Sequence, residues 1–196
     1  GSTSGGADAK PYVAAAAKKA LADHLTRTGR TGTVEDGLFP STYRVKWDIV
    51  GEPKVSILIP NKDHTEDLEK CLQSIWKKTT WDRFEVIVIE NNSTDPATFA
   101  YYKDAEKRYE GLKVVTWPEK GFNFSAINNF GRKAAQGEYL IFIDSDDYIA
   151  TGMFRVLADA VARFGSDIIG FGAALEANGV VVKELVLSLI HISEPT

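Results

Sequence analysis

From Pro53 onward the chain alternates short apolar runs with segments whose apolar residues recur at helical spacing. Val55–Ile59, Phe84–Ile89, Lys113–Trp117 and Tyr139–Ile143 are rich in Val and Ile and read as buried strands. Pro60 is expected to end the first of them. Between the strands, Leu68, Cys71, Leu72, Ile75 and Trp76 mark a helix over Thr65–Lys77. Pro96 suits the first position of a helix reaching Glu110. Further helices are expected over Phe124–Ala135 and Met153–Phe164, with another strand around Asp167–Phe171. Nearly continuous β-branched strands separated by amphipathic helices imply an α/β fold: a mostly parallel sheet with helices on both faces.

The first fifty residues follow a different pattern. Gly1–Ala9 is rich in Gly and Ser and reads as a linker. An alanine-rich helix is expected over Tyr12–Arg27, stopped by Gly29 and Gly32, with only a thin apolar face of Val13, Ala16, Ala20 and Leu25. Gly37–Pro40 marks a turn. Tyr43, Val45, Trp47 and Ile49 then alternate with polar residues as an edge strand would. The expected organisation is therefore a linker, helix and edge strand over 1–50 and an α/β domain over 51–186, cut short at its C-terminal side. Residues 187–196 resemble a translated sequencing adapter and read as a non-native tail.

Composition narrows the function classes. The formal net charge of -4 over 196 residues gives no basic footprint for nucleic acid. The single cysteine, Cys71, has no internal disulfide partner. No apolar run reaches the roughly 18–20 residues of a spanning helix. A cytoplasmic domain is expected, either free or peripherally attached at the inner face of the plasma membrane.

Ligands of open parallel sheets bind outside the carboxyl ends of the strands. Three acid-bearing clusters fall there: Asn61-Lys62-Asp63, Glu90 to Asp95, and Asp144-Ser145-Asp146-Asp147. Three carboxylates within four residues repel one another unless a cation neutralises them, and hard carboxylate oxygens suit Mg²⁺ or Mn²⁺. In a strand-to-loop segment Asp144 and Asp146 lie two apart and can point the same way. There is no Gly-x-Gly-x-x-Gly and no Gly-Lys-Ser/Thr phosphate loop.

Gly137–Tyr148 closely resembles the metal-binding segment of family-2 glycosyltransferases. Val55–Pro60 is similar to their first strand, and Glu90–Asp95 to their acidic turn after the second. The order and spacing agree over about Pro53–Phe171, and Gly121–Gly131 is similar to a rhamnosyltransferase-like, cell-surface polysaccharide branch. The resemblance implies a GT-A fold and inverting, metal-dependent transfer of a hexosyl or rhamnosyl group. The donor would be a nucleotide-diphosphate sugar, UDP- or dTDP-linked, and the acceptor a glycan or lipid-linked hydroxyl. It implies nucleotide contacts from Pro60, Asn61, Asp63, Glu90, Asn92 and Asp144, with Glu90 standing where the family usually has an Asp that reads the base. It implies metal contacts from Asp144 and Asp146, with Asp147 in reserve. Asn128-Asn129 departs from the Arg-Asn of many relatives, and Asp144–Asp147 departs from the Asn-Asn-Asp common in the polysaccharide branch. The family's catalytic base lies downstream of the metal motif. None is assigned to Asp159, Asp167, Glu176 or Glu184, so an inactive nucleotide-binding fragment is the alternative.

The remaining candidates read as structural. His24 is expected on a polar helix surface, Cys71 in the core, and Trp47, Trp76, Trp81 and Trp117 in packing. His64 sits near the nucleotide rim.

Overall fold

The computed structural model describes residues 11–48, 51, 53–164, 173–177 and 180–185. The chain divides into two compact units, one of residues 51–155 and one of residues 1–50 with 156–196.

In the second of these, α1 (Pro11–Arg27) is followed by β1 (Gly32–Asp36) and β2 (Tyr43–Trp47), an antiparallel pair. Lys18 reaches Asp36 at 2.7 Å, tying α1 to the hairpin. The expected edge strand at Tyr43 thus exists, but it pairs with an unanticipated neighbour in a two-stranded sheet of its own. Gly32, Thr33 and Glu35 gave β1 no apolar alternation to read. A second hairpin, β7 (Ala173–Ala177) with β8 (Val180–Leu185), was also not anticipated. The strand expected around Asp167–Phe171 lies outside the described residues.

The 51–155 unit carries the site. Its sheet contains β3 (Val55–Asn61), β4 (Phe84–Glu90), β5 (Leu112–Thr116) and β6 (Tyr139–Phe142), all parallel, in the order β5-β4-β3-β6. Ile57, Leu58, Ile59, Val86, Ile87 and Ile89 are fully buried, so both faces of the central strands are covered. Each such side chain contributes about 1.5–3 kcal/mol through removal from water.

The connecting helices are α2 (Thr65–Lys78), α3 (Pro96–Arg108) and α4 (Phe124–Arg132), and α5 (Met153–Phe164) follows β6. Leu58, Ile87 and Ile89 pack with Ile127 of α4 on one face. Gly131 of α4 lies so close to Ile89 and Leu58 that a Cβ there would collide with both side chains. On the opposite face Phe84 meets Trp76 of α2 and Phe154 of α5, with ring centroids 5.2 and 6.3 Å apart. This segregation follows from right-handed crossovers. The chain steps outward from β3 to β5, placing α2 and α3 on one face, then reverses past β3 to β6, placing α4 on the other.

The reversal leaves a crevice between β3 and β6, where ligands of such sheets bind. Pro60 helps to open it. The first strand does not stop at Pro60, as expected, but continues to Asn61 beside β4. Leu58 O accepts from Ile143 N, whereas Asn61 O accepts from Asn91 N, so alternate residues of β3 face β6 and β4 in turn. The donor that Pro60 lacks therefore falls on the β6 side, beyond Leu58↔Phe142, where that pairing has ended.

Candidate functional site

A cavity of about 460 Å³ lies at the carboxyl ends of the strands, lined from four connections. Pro60, Asn61, Lys62 and His64 come from the end of β3, Asn91 and Asn92 from β4, Gly121, Phe122 and Phe124 from the β5–α4 segment, and Asp144, Ser145 and Asp146 from β6.

Of the residues expected to bind nucleotide or metal, Pro60, Asn61, Asn92, Asp144 and Asp146 come together on this wall. Asp144 and Asp146 are exposed, as is their neighbour Asp147. The Asp147 carboxyl is raised above its ordinary range, first by burial and then by the charges of Asp146 and Asp144. Asp147 N donates to Asp144 O at 3.1 Å, closing the turn that gathers these charges. Beneath the turn, Lys78 Nζ holds Ile149 O at 2.9 Å and Ile149 N donates to Ser74 Oγ at 3.0 Å. The acidic loop is thereby fastened to α2. Among the described residues, no group of three or more His, Cys, Asp or Glu side chains is gathered around one point.

The other two expected residues, Asp63 and Glu90, do not line the cavity. Asp63 has φ 59 and turns its carboxylate away to the β4–α3 loop. It accepts from Thr94 N at 2.9 Å and Asp95 N at 3.0 Å, and Thr94 and Thr98 hydroxyls add longer bonds. The bond from Asp95 N, with those from Thr94 and Thr98, outweighs burial and holds its carboxyl below the usual range. Glu90 is buried at the end of β4. One of its oxygens accepts from Ser93 N at 2.6 Å, and the other from Ser93 Oγ at 2.5 Å and Tyr102 Oη at 3.0 Å. Tyr102 Oη in turn accepts from Asn61 Nδ2 at 2.8 Å. Glu90 and Asp63 thus brace the two loops, and Asn61 is the wall residue that Glu90 reaches through Tyr102. Asn61 Oδ1 is buried without a hydrogen-bond partner.

Phe122, Phe124 and Asn91 line the cavity although no role was expected for them. Phe122 lies two residues ahead of α4 and Phe124 opens it, and an apolar Phe122 outside the helical period is the one signal that the sequence carries. Cys71 is core, as expected, with its Sγ under the acidic loop.

The comparisons with known proteins agree with this architecture. The family model "Glycosyl transferase family 2" matches residues 56–185, and the chain belongs to that family. A protein of Sinorhizobium fredii, y4gI, is 33% identical over 87% of this chain and 19% of its own length. The O-antigen biosynthesis protein RfbC of Myxococcus xanthus is 40% identical over 65% of this chain and 10% of its own length. Among solved structures, S. aureus TarS 1-349 in complex with UDP-GlcNAc superposes with a TM-score of 0.56 at 26% identity, covering 66% of this chain and 37% of that one. The fold is the GT-A arrangement expected from the resemblance. The chain spans well under half the length of each of these relatives.

Proposed function

We propose that this chain is the donor-binding part of an inverting, metal-dependent glycosyltransferase. It takes a hexosyl or rhamnosyl group from a UDP- or dTDP-linked sugar and passes it to a glycan or lipid-linked hydroxyl. The observation that carries the proposal is the sharing of one cavity by Asp144 and Asp146 with Pro60, Asn61 and Asn92 at the β3/β6 crossing. RfbC, an O-antigen biosynthesis protein, and TarS, crystallised with UDP-GlcNAc, support a cell-envelope glycan and a UDP-linked donor. On this reading the chain works in the cytoplasm, free or at the inner membrane face.

The donor set fits Mn²⁺ or Mg²⁺. Two exposed carboxylates offer hard oxygens, and such ions commonly use one or two carboxylates with substrate phosphates completing the shell. Asp144 and Asp146 would hold the ion. When bound, it offsets the negative charge that grows on the departing diphosphate. The protein's own contribution is positioning. Lys62 and His64 bring donors for anionic phosphate oxygens, and Asn61 and Asn92 set the nucleoside side of the wall. Glu90, Tyr102 and Asp63 hold those loops in place from behind. The acceptor hydroxyl would lose its proton to a base not assigned among these residues and attack the anomeric carbon from the face opposite the leaving diphosphate, which departs as the nucleoside diphosphate with inversion at that carbon.

Calorimetric titration of UDP in the presence and absence of Mn²⁺ tests the reading. The chain is expected to bind UDP more tightly with Mn²⁺, and Asp146→Ala to lose that enhancement. Equal metal enhancement in the variant would remove Asp146 from the role.

A further inference from the structure

Phe122 is 69% exposed and Phe124 48% exposed, and both line the cavity. Their rings lie 6.4 Å apart, tilted by 55°. Local bonds fix the segment that carries them. Asn123, between them, caps α4 by accepting from Ala126 N at 3.0 Å. Phe124 is the first residue of α4. The chain ahead of them is fastened by Asn92 Nδ2, which donates to Glu119 O at 2.9 Å. Gly121 has φ 86, a conformation that lets the chain turn back into the helix. Two large aromatic faces are thus held in solvent beside the amides of Asn91 and Asn92. A wall of this kind suits another flat ring with polar edges.

We infer that Phe122 is the platform on which the nucleobase of the donor stacks, an inference that rests on the nucleotide-sugar reading above. The sheet order supplies the direction. Along the rim the connections follow as β5, β4, β3, β6. The carboxylates Asp144 and Asp146 belong to the β6 end, and Phe122 belongs to the connection leaving β5, which Asn92, two residues after β4, fastens at Glu119. Neighbouring strands lie about 4.8 Å apart, so Asp144 and the β4 loop are separated by roughly 10 Å along the rim. A donor whose diphosphate lies at the carboxylates runs its nucleoside toward β4 and β5. Its sugar, on the other side of the diphosphate, points away from Phe122. A phenyl face accepts any base, because stacking reads the ring and not its edge.

The test is calorimetric titration of the chain and of Phe122→Ala, Phe122→Leu and Phe122→Trp, with UDP and separately with inorganic pyrophosphate, all in Mn²⁺. Because Phe122 is mostly in solvent, its removal leaves the core intact, and thermal melts followed by circular dichroism check this for each variant. Phe122→Ala and Phe122→Leu are expected to lose about tenfold or more in UDP affinity, the scale of one base stacked on one aromatic ring. Phe122→Trp is expected to keep the affinity, and pyrophosphate to bind all forms alike. Unchanged UDP affinity in Phe122→Ala and Phe122→Leu overturns the inference and leaves the nucleotide-sugar reading standing. An equal loss for pyrophosphate also overturns it, since that ligand has no base. Absence of UDP binding by the unaltered chain overturns both.

Discussion

The thiol of Cys71, in the middle of α2, lies 3.9 Å from the main-chain carbonyl of Asp144. A buried helix residue therefore supports, from below, the first carboxylate of the cavity. Burial, followed by the charges of Asp147 and Asp146, pushes this thiol up to about 12. Cys71 is fully buried.

Cys71 should accordingly be unreactive in the folded protein. At pH 8 a thiol with that pKa is almost entirely protonated, and the thiolate is the reactive form. Alkylation or disulfide-exchange reagents are expected to modify none of the native chain over minutes and the full complement of one thiol in denaturant. Rapid native modification, read by mass spectrometry, would show that the acidic loop and α2 separate readily.

Acid sensitivity should arise at carboxylates behind the site. Glu69 of α2 receives both terminal nitrogens of Arg108 at 2.9 Å, Tyr101 Oη at 2.7 Å and Tyr109 Oη at 2.9 Å, which joins α2 to α3. The Arg108 guanidinium, helped by Gln73 and the two tyrosines, outweighs burial and drives its carboxyl well below the usual range. Asp63 is lowered as well. Groups lowered in the folded state stabilise it fully above their unfolded values and lose that contribution as pH falls toward the folded ones. Denaturant midpoints should therefore be flat above pH 5 and fall steadily below the ordinary values of 3.8 and 4.5. Glu69→Gln should lower stability by about 1–3 kcal/mol at pH 7, the scale of a lost charge-assisted bond. The same variant should also be less steeply acid-sensitive.

Most of the 51–155 unit was legible because β3 and β4 are dominated by Val, Ile and Leu, a composition that suits central strands covered on both faces. Asp144 and Asp146 stood out because carboxylates so close together at a strand end repel one another, and the structure brings both to the cavity wall. What the sequence hid was side-chain direction. Nothing in Glu90-Asn91-Asn92-Ser93 reveals that the Glu90 carboxylate folds back onto Ser93 and Tyr102 while Asn91 and Asn92 line the cavity. That outcome depends on Asn92 adopting φ 58 and on a tyrosine in the second turn of α3. The hairpin of β1 and β2 was half hidden for another reason. A two-stranded sheet with little to cover imposes no apolar alternation on Gly32–Asp36.

Tyr102 should therefore matter more than its distance from the cavity implies. Its hydroxyl accepts from Asn61 and donates to Glu90, so Tyr102→Phe leaves a buried amide and a buried carboxylate each short of a partner. The cost is about 1–3 kcal/mol, or a fall in melting temperature of several degrees for a chain of this size. Since Asn61 is on the wall, UDP affinity should fall in the same variant. A melt shifted with UDP binding unchanged would limit Tyr102 to structural support.

The two-carboxylate site makes a thermodynamic prediction about metal and nucleotide together. Asp144 and Asp146 by themselves leave most of a divalent ion's six or more coordination positions to water, and no third His, Cys, Asp or Glu joins them among the described residues. Mn²⁺ alone should therefore bind weakly, in the millimolar range typical of few-ligand oxygen sites. On the proposed reading UDP would supply phosphate oxygens to the ion, so each ligand should tighten the other. Linkage requires the two enhancements to be equal: the factor by which Mn²⁺ raises UDP affinity must match the factor by which UDP raises Mn²⁺ affinity. Titrating each ligand with the other absent and saturating, by calorimetry and by Mn²⁺ electron paramagnetic resonance, measures both factors. A common value of about 5–150-fold is expected, falling toward one in Asp144→Ala and Asp146→Ala. Tight Mn²⁺ binding without nucleotide would mean that further ligands close the shell, and a factor of one in the unaltered chain would separate the carboxylates from the diphosphate.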